Sequence, residues 1–332
     1  MPAPDVPGPS PAELGARLAD LVRPLGAGRP RFALLDFPSH GNIGDSAIWV
    51  GEIALFARLY GRRPDHVSHM RFDPAAPGRA LPAADAVLYL HGGGNFGDIW
   101  PKHQTYREAV IAANPQHRIV QLPQSIHYRD PAGVERTRRI IAAHPDFHLM
   151  VRDAESRDFA QRHFDCPVIL APDSAFCIDP AAFPRPAAAQ GTLCLFRTDQ
   201  ERRPDARGAG ARFPGARIED WRREADWRRQ AHKALLAVFY LMPDGPLAGP
   251  RAASFTAMAR RRVALGLDQI DSAARVVTDR LHGHILARLL GKPQIVIDNE
   301  YGKIRRYIAA WGGGDTRIAR DFAEAAEMAA GA

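Results

Sequence analysis

Apolar runs of strand length alternate along this chain with longer segments in which apolar residues recur at helical spacing. The predicted strands are residues 32–37, 86–90, 119–122, 147–151, 168–171, 192–196, 275–278 and 294–298. The predicted helices are residues 46–60, 104–113, 131–143, 154–164, 227–240, 254–266 and 281–290. Because consecutive parallel strands need a crossover connection, usually a helix, this alternation predicts an α/β fold built on parallel sheets.

The predicted elements form two blocks, separated by a Pro- and Ala-rich stretch at residues 179–191 that is typical of an interdomain linker. We therefore predict a flexible N-terminal segment at residues 1–25, a Rossmann-like domain at residues 26–180 and a second Rossmann-like domain at residues 181–332. An insert rich in Arg, Gly and Pro at residues 201–217 is expected to be a mobile loop. Two such domains facing each other leave a cleft, and ligands of open α/β sheets bind beyond the carboxyl ends of the strands.

The composition narrows the environment in which the chain is expected to work. Of its 332 residues, 46% are hydrophobic and 24% are charged. No apolar run approaches the ~20 residues that span a bilayer, and the N-terminus lacks the basic-then-apolar pattern of a signal peptide. We therefore expect a cytoplasmic protein without a transmembrane segment, and peripheral contact with the inner face of the membrane stays open. Cys166, Cys177 and Cys194 show neither metal-ligand spacing nor a disulfide pattern and are interpreted as reduced thiols.

The net charge of +7 suits an anionic partner without saying which one. The basic residues are dispersed, and no helix-turn-helix, zinc-finger or aromatic RNA-binding signature accompanies them. We therefore expect no nucleic-acid partner, and an anionic small substrate becomes the favoured reading of the charge.

Two loops that follow predicted strands contain several glycines. The first reads Ser39-His40-Gly41-Asn42-Ile43-Gly44-Asp45-Ser46, and it leads into a helix whose first N–H groups are unpaired. The second reads His91-Gly92-Gly93-Gly94-Asn95-Phe96-Gly97-Asp98, and its successive amides can form a nest around phosphate or carboxylate oxygens. Each loop alone is explained by a tight turn. Two of them at equivalent strand ends, each with an Asn and an Asp, favour a binding site.

A third cluster, Thr278-Asp279-Arg280-Leu281-His282-Gly283-His284, lies where a predicted strand passes into a helix. The sequence places Arg280 and His282 in the first helical turn, where the helix dipole favours a bound anion and Arg offers a forked pair of donors. The plainer interpretation is that Asp279 caps the helix and that His282 packs. The coincidence of Arg, His, Gly and a capping residue favours a functional role.

Five motifs in a fixed order resemble the polysaccharide pyruvyl transferase family. They are Gly41-Asn42-Ile43-Gly44-Asp45, His91-Gly92-Gly93-Gly94-Asn95, Arg152-Asp153-Ala154-Glu155-Ser156, Pro172-Asp173 and Thr278-Asp279-Arg280-Leu281-His282-Gly283. The resemblance covers roughly residues 30 to 312, and the stretch from Asp298 to Trp311 is similar to the subgroup that acts in bacterial exopolysaccharide synthesis. It implies a fold like that of the two-domain GT-B glycosyltransferases and transfer of the pyruvyl group of phosphoenolpyruvate onto a sugar as a cyclic ketal.

The resemblance also implies which residues bind the donor. In the family, the Arg-Leu-His motif is associated with phosphoenolpyruvate, and it maps here to Arg280 and His282, with Arg152 or Arg197 as a further arginine. With the glycine loop and the end of the third cluster, the expected donor-binding set is Arg280, Arg152, Arg197, Gly92, Gly93, Gly94, Asn95 and His284. A second set, expected to contact the acceptor or to shape its loop, is Asn42, Gly41, Gly44, Gln124 and Ser125.

Ketal formation needs a proton on the methylene carbon of the donor and removal of hydroxyl protons from the sugar. His282 is predicted to be the general acid because the pKa of an imidazole lies near working pH, and Asp45 or Asp98 is predicted to be the base. This route requires no metal ion and no cofactor beyond the co-substrate phosphoenolpyruvate. No His, Cys or Asp cluster in the sequence has zinc-like spacing.

Other functions explain part of the same pattern. A nucleotide-sugar glycosyltransferase of the GT-B type would also hold a diphosphate in a basic cleft, and a non-catalytic protein that binds polyanions or glycans would account for the charge alone. The acceptor is expected to be an exopolysaccharide sugar, either in the polymer or in its lipid-linked precursor. Trp221 and Trp227 are candidates for stacking on acceptor sugars, although aromatic residues at this spacing more often pack in the core.

Overall fold

The computed structural model describes residues 8–185, 188–199, 203–241, 248–298 and 302–331, and within them the chain forms the predicted α/β fold with two parallel sheets. The helices are α1 (Pro11–Val22), α2 (Ile43–Tyr60), α3 (Ala76–Ala80), α4 (Pro101–Ala113), α5 (Pro131–Ala142), α6 (Ala154–His163), α7 (Asp226–Leu241), α8 (Ala248–Asp271), α9 (Leu281–Leu289), α10 (Lys303–Trp311) and α11 (Phe322–Ala330). The strands are β1 (Arg31–Leu35), β2 (His66–Val67), β3 (Ala86–Leu90), β4 (Gly93–Gly97), β5 (Arg118–His127), β6 (Phe147–Val151), β7 (Val168–Leu170), β8 (Thr192–Leu195), β9 (Arg217–Glu219), β10 (Arg275–Thr278), β11 (Gln294–Ile297) and β12 (Thr316–Ala319).

In each sheet, the strand order places the carboxyl ends of neighbouring parallel strands side by side. The first sheet runs β2-β1-β3-β5-β6-β7, with β4 paired to β5, and the second runs β12-β11-β10-β8-β9. Every pairing in both sheets is parallel. Strands such as β3 are buried along their whole length, as expected of parallel strands covered on both faces. The carboxyl ends of β1, β3 and β5 therefore lie together, and so do those of β8, β9 and β10.

Helix α2 is central to the molecule. The Asn42 side chain caps its start by accepting a hydrogen bond from the Gly44 amide, and Gly61 ends it in the left-handed conformation at φ 66°. At Gly51 the helix backbone approaches the segment after β7 so closely that a Cβ there would lie 1.9 Å from the carbonyl oxygen of Ser174. No larger residue fits at this crossing, which fixes the middle of α2 against the segment that carries Ser174.

The second half of the chain packs directly on the first. Helix α8 lies against α2, and the Phe255 ring of α8 stacks on Phe37 at a centroid distance of 4.2 Å. Arg262 of α8 donates hydrogen bonds to the carbonyl oxygens of Pro38, at 3.0 Å, and His40, at 2.9 Å. One continuous hydrophobic cluster contains residues from both sheets and from these helices. The loop after β1 is thereby clamped from the side of the second sheet.

The structure differs from the expected flexible N-terminus in residues 8–25. Helix α1 begins with a capping box formed by Ser10 and Glu13, and Leu14 and Leu18 are fully buried in the main cluster. Arg288 of α9 donates a hydrogen bond to the carbonyl oxygen of Pro9, which ties this segment to the second half. The amphipathic pattern of residues 11–22 was obscured by the Pro-rich stretch before it, and residues 1–7 lie outside the described part of the chain.

The insert at residues 201–217 was also expected to be a mobile loop, and its described part, from residue 203, is folded. It contains short 3₁₀ helices at Pro204–Ala206 and Ala209–Arg212, and it leads into the edge strand β9. Ala209 and Phe213 are buried in a cluster with Phe196 and Phe322. These few apolar residues anchor an otherwise polar segment, while residues 201 and 202 lie outside the described ranges.

Two further expectations concern reduced cysteine thiols and the lack of a membrane-spanning helix. Cys166, Cys177 and Cys194 are free thiols, and burial raises the pKa of each to about 12, so they stay protonated and unreactive at neutral pH. Across the described ranges, no helix combines the length and apolar character that a bilayer crossing demands.

Candidate active site

A histidine, a carboxylate and an arginine converge where α9 meets the first sheet. His282 is the second residue of α9, and its Nε2 lies 3.4 Å from Oδ2 of Asp173. The same oxygen accepts a 2.6 Å hydrogen bond from Nη1 of Arg152, and the Arg152 and Asp173 side chains are both 1% exposed. Burial raises the pKa of the Asp173 carboxyl, but His282 and Arg152 outweigh burial and hold that pKa well below its usual range. Asp173 is therefore a buried carboxylate that contacts both Arg152 and His282.

Arg152 is held from a second side by the carboxyl-terminal part of β5. Its Nε donates to Oγ of Ser125 at 2.9 Å, and Ser125 in turn donates to Oδ2 of Asp153 at 2.7 Å. The carbonyl oxygen of Arg152 accepts a hydrogen bond from Nε1 of Trp311 at 2.8 Å. Ser125, assigned to an acceptor or structural role, thus has a structural contact, and Arg152 is fixed along its whole length.

The glycine loop lies directly against this cluster. A Cβ placed on Gly94 would lie 2.7 Å from Nζ of Lys303 and 2.9 Å from Nη2 of Arg152. The absence of a side chain at Gly94 therefore lets two cationic groups approach the backbone. Lys303 is the first residue of α10 and belongs to the stretch from Asp298 to Trp311 that carries the subgroup resemblance. The sequence assigned it no role, because its position depends on how α10 packs near the first sheet.

The glycine loop does not form the open amide nest that the sequence suggests. The Gly92 amide donates to Oε1 of Glu52 at 2.8 Å, and the Asn95 amide donates to Oε1 of Gln124 at 3.1 Å. The Asn95 side chain is also engaged, since its Oδ1 accepts from Nη2 of Arg107 at 2.6 Å and from Nε2 of Gln124 at 2.9 Å. These contacts make Gln124 and Asn95 parts of the loop's frame and leave less of the backbone to bind an anion.

Glu52 and His91 form a buried pair behind this loop. His91 Nδ1 lies 2.7 Å from Oε2 of Glu52, and both side chains are at most 2% exposed. Burial raises the pKa of Glu52. Burial alone would lower the pKa of His91, but the Glu52 carboxylate outweighs it and the pKa of His91 is raised. The two residues balance each other's charge and brace the glycine loop from behind, and neither was assigned a role from the sequence.

Of the two predicted bases, Asp45 adjoins the cluster. Its Oδ2 lies 3.6 Å from Nε2 of His40, and its Oδ1 would lie 3.8 Å from a Cβ on Gly93. Burial raises the pKa of Asp45, but His40 and His282 outweigh burial and lower it, so Asp45 is ionised at neutral pH. Burial lowers the pKa of His40, which leaves this imidazole neutral and able to accept a proton.

Asp98 and His284 have other contacts. Oδ2 of Asp98 accepts hydrogen bonds from the amides of Arg129, at 2.6 Å, and Asp130, at 2.7 Å, so it closes the loop after β5. His284 is fully buried, with its Nδ1 3.1 Å from Oε1 of Gln294 on β11. Burial lowers the pKa of His284 to about 4, and the side chain packs as a neutral imidazole. Neither geometry favours the role that the sequence suggested.

Arg280 and Arg197 form a second group at the carboxyl ends of β8, β9 and β10. Arg280 is the N-cap residue of α9 rather than part of its first turn, and its Nη2 lies 2.5 Å from Asp220 and 3.4 Å from Asp199. Nε of Arg197 lies 3.0 Å from Asp199. Asp279, considered as a helix cap, instead accepts from the Arg197 amide at 2.9 Å. Both predicted donor-binding arginines are thus brought together, each with carboxylate partners that an anion would have to displace.

A further His–Asp pair lies near His40. Asp36 follows β1, and it is the non-glycine residue with positive φ, 69°, among the described residues. Its Oδ2 lies 2.8 Å from Nδ1 of His103, and the His103 ring lies edge-on to the His40 ring at a centroid distance of 5.9 Å. Backbone strain at a buried charged residue is frequent at functional sites. The sequence did not indicate this pair, because Asp36 lies inside the predicted strand 32–37 and His103 belongs to no motif.

Gly44 offers a test of how closely the first loop fits His282. A Cβ on Gly44 would lie 2.6 Å from Nδ1 of His282, so Gly44→Ala should push the imidazole out of line with Asp173. Misplacement of a reacting group by about 1 Å can cost on the order of 10²-fold in rate, and we expect a loss of turnover of that order. Gly249→Ala near the start of α8 is the matched control, because a Cβ on Gly249 meets no atom within 4 Å and the residue lies outside the predicted site. Steady-state kinetics of both variants that gave equal rates would contradict this fit.

Asp279 gives a pH-dependent prediction. Burial raises the pKa of its carboxyl to about 6, against the partial opposition of the Arg197 amide and of Arg280. Between about pH 4 and 6 the folded state then binds more protons than the unfolded state, so the free energy of unfolding falls as pH rises through that window. Asp279→Asn should therefore raise the free energy of unfolding at pH 7.5 by roughly 1–3 kcal/mol and raise it less at pH 4.5. Denaturant unfolding at both pH values measures this, and destabilisation at pH 7.5 would show that the arginine contacts dominate.

The arrangement defines a class of site. A proton carrier, His282, lies beside a fixed arginine, a lysine and a glycine loop at the carboxyl ends of parallel strands, which is where α/β proteins bind ligands. Cations at such a position suit an anionic ligand, and a histidine held by a buried carboxylate suits acid–base chemistry. The fold and the site together suit an α/β enzyme that carries out acid–base chemistry.

Comparison with known proteins identifies the family. The model of the polysaccharide pyruvyl transferase family matches residues 42–301, and this chain belongs to that family. It is 34% identical over 295 residues to Pyruvyl transferase 1 of Schizosaccharomyces pombe, covering 86% of this chain and 70% of that protein. It is 34% identical over 282 residues to the Bacillus subtilis protein named as pyruvyl transferase EpsO, covering 83% of this chain and 84% of that protein. The resemblance drawn from the motifs is confirmed, and with it a transferase class.

A solved structure supports the fold independently. A Klebsiella pneumoniae protein of uncharacterised function aligns with a TM-score of 0.58 and 17% sequence identity, over 92% of this chain and 98% of that chain. At this identity the likeness shows the α/β fold and nothing about activity.

Proposed function

We propose that this protein transfers the pyruvyl group of phosphoenolpyruvate onto two hydroxyls of a saccharide, forming a cyclic ketal and releasing phosphate. The observation that carries the proposal is the approach of Arg152 and Lys303 to Gly94, beside the His282–Asp173 pair. Phosphoenolpyruvate carries a carboxylate and a phosphate on three carbons, so its site needs closely spaced cations and a nearby proton donor. Membership of the family supports pyruvyl transfer in general.

The reaction requires a balanced set of proton transfers. One sugar hydroxyl adds to C2 of the donor as C3 gains a proton and becomes a methyl group. The second hydroxyl then replaces the phosphate at C2, and the C–O bond to phosphate breaks. The two hydroxyl protons are matched by the one taken up at C3 and the one taken up by the departing phosphate. A site for this reaction therefore needs a proton donor near C3 and a proton acceptor near the sugar.

The residues divide between these two tasks. We assign His282 as the general acid, oriented by Asp173 at 3.4 Å. We assign the acceptor side to Asp45 and His40, because one is ionised and the other neutral at working pH. Asp98 is the weaker candidate, since two backbone amides already occupy one of its oxygens.

Donor binding is proposed for Arg152 and Lys303, with Arg280 and Arg197 as an additional contact. Asp199, which pairs with both of these last arginines, has a side chain that is 39% exposed. An exposed carboxylate is readily displaced by a ligand of higher charge, so Asp199 holds the arginines until an anion replaces it. Gly92, Gly93 and Gly94 then serve mainly as space for these side chains.

The proposal also covers the domain arrangement, the acceptor and the location of the protein. We propose a GT-B-like arrangement of two Rossmann-like domains, residues 26–180 and 181–332, with the donor between them. The acceptor is proposed to be an exopolysaccharide sugar or its lipid-linked precursor, in keeping with the name of the Bacillus subtilis relative EpsO. The expected location is the cytoplasm.

The direct test is to incubate the protein with phosphoenolpyruvate and saccharides that carry neighbouring free hydroxyls. Phosphate release should match a gain of one pyruvyl group per sugar, measured by mass spectrometry. Release of a nucleoside diphosphate from a nucleotide sugar, with no reaction of phosphoenolpyruvate, would instead identify a glycosyltransferase.

We also expect turnover to be independent of divalent metal ions. Arginine, lysine and the helix dipole of α9 can neutralise the donor without a metal. Treatment with a chelator should leave the rate of phosphate release unchanged. Loss of the rate on chelation and its return with magnesium would contradict this expectation.

A further inference from the structure

Helix α7 presents an apolar stripe to solvent. Trp227, Ala231, Ala234, Val238 and Leu241 recur at intervals of three or four residues, so they lie on one face, and all five are exposed. Of the six exposed large hydrophobic side chains in the described ranges, four belong to this helix: Trp227 at 66%, Val238 at 49%, Tyr240 at 60% and Leu241 at 79%. The opposite face, with His232 and Phe239, is already buried. A concentrated apolar face of this kind marks an interaction surface.

A groove adjoins the stripe. It has a volume of about 420 Å³ and lies between α7 and α8. Trp227 and Ala231 belong both to the stripe and to the wall of this groove, whose depth is lined by Leu235, Ala257 and Met258. The apolar surface therefore continues from the helix into a cavity that can take a short length of hydrocarbon.

Cationic side chains border the same surface. Arg228 and Arg261 lie at the groove, and the Arg228 guanidinium stacks over the Trp227 ring at 4.6 Å. Lys233 lies on the side of α7 next to the stripe and is exposed, and Arg229 is exposed further round the helix. Asp226 is the exposed carboxylate of this helix, and it is paired with Arg229 at 2.5 Å. The surface thus combines an aromatic side chain, an aliphatic stripe and unbalanced positive charge.

This combination selects the occupant. Amphipathic helices with Trp and Leu on one face and Lys or Arg beside it bind in the interfacial region of bilayers, and anionic headgroups attract the basic residues. A second copy of this chain would bring the same cations to the stripe, and like charges repel. Charge complementarity therefore favours an anionic lipid surface over self-association.

We propose that the α7 face, which consists of the stripe from Trp227 to Leu241 together with Arg228, Lys233 and Arg261, docks this protein on a membrane that contains anionic phospholipid. This surface is separate from the cluster around His282, and the proposal does not depend on the reaction catalysed there. Contact of this kind would bring a lipid-carried acceptor to the protein without a transmembrane segment.

Sedimentation with vesicles tests the proposal. The full chain should sediment with vesicles of phosphatidylcholine and phosphatidylglycerol, and high salt should lower the bound fraction severalfold. With vesicles of phosphatidylcholine alone, the protein should stay in solution. Trp227→Ala should weaken vesicle binding roughly tenfold, because a large aromatic side chain loses its apolar burial. Lys233→Gln should weaken it about fivefold, as expected for one basic residue near the surface.

Ile218→Ser is the matched control, since Ile218 is 45% exposed on β9 and lies outside the α7 face. It should bind vesicles as the wild type does, and thermal unfolding should show that all variants fold. Absence of binding to the anionic vesicles, or equal loss in the control, overturns the proposal. So does a lipid-free dimer in analytical ultracentrifugation that Trp227→Ala abolishes, because the stripe would then be a contact between copies of this chain.

Discussion

His282→Ala is expected to lower turnover by about 10²–10⁴-fold while leaving the affinity for phosphoenolpyruvate much less changed. A positioned acid or base contributes a factor of this size to the rate, and His282 lies 3.4 Å from the buried Asp173 carboxylate that would orient it. The variant should fold normally, because the side chain is at the edge of the cluster and its removal leaves Arg152 paired with Asp173. Kinetics of phosphate release, together with donor binding by calorimetry, separate the two effects.

The matched control for this change is His163→Ala on α6, whose ring packs on Phe159 at 4.4 Å outside the site. It should retain full turnover. A folded His282→Ala variant with near-normal turnover would show that His282 only packs or contacts the donor, and the acid role would pass to another group. Loss of donor affinity equal to the loss of rate would likewise argue for a binding role.

Asp173→Asn is expected to have the largest effect on stability. Asp173 accepts from Arg152 at 2.6 Å, and both side chains are 1% exposed, so the substitution leaves a buried guanidinium without its counter-charge. Removal of one partner of a buried ion pair costs about 3–5 kcal/mol. Denaturant unfolding at neutral pH measures this loss. Glu135→Gln is the control, because its pair with Arg138 lies on the surface and should contribute little.

The stabilisation that the Asp173 carboxylate provides should be lost as pH falls. The pKa of Asp173 is lowered in the folded state because its partners outweigh burial. A lowered pKa means that the unfolded chain binds more protons, so the stabilisation is complete above the unfolded pKa of about 3.9 and is lost as pH falls. The difference between wild type and Asp173→Asn should therefore be constant near neutrality and shrink below about pH 4. A difference that grew on acidification would show that the pair does not stabilise the fold.

Much of the fold could be predicted from local pattern. Strands β3, β6 and β10 have the predicted bounds, because fully buried parallel strands appear in sequence as continuous apolar runs. Strand β4 was not predicted, since Gly93–Gly97 reads as a turn and becomes a strand only by pairing with β5. Helix α1 was overlooked because proline-rich flanks suggested disorder, whereas its burial depends on the distant segment after β7.

The site was predictable where motifs carry it and not elsewhere. The motifs located Gly44, Gly94, Arg152 and His282, which the structure brings together. Arg152 is linked to His282 by the Asp173 carboxylate, to which the sequence had assigned no role. Lys303 and the pair of Asp36 with His103 come from single residues on helices and loops that only tertiary packing assembles. The contacts that occupy the glycine loop amides were equally invisible, because Glu52 and Gln124 lie far away in sequence.

The most direct measurement follows labelled carbon from donor to sugar. The wild-type protein is incubated with phosphoenolpyruvate carrying ¹³C at C2 and a saccharide with neighbouring free hydroxyls, and the product is examined by NMR while phosphate is assayed. The proposed reaction places the label in a ketal carbon bonded to two sugar oxygens, with one phosphate released for each ketal formed. Phosphate released without label on the sugar, or a sugar modified only when a nucleotide sugar is supplied, would contradict the proposed function.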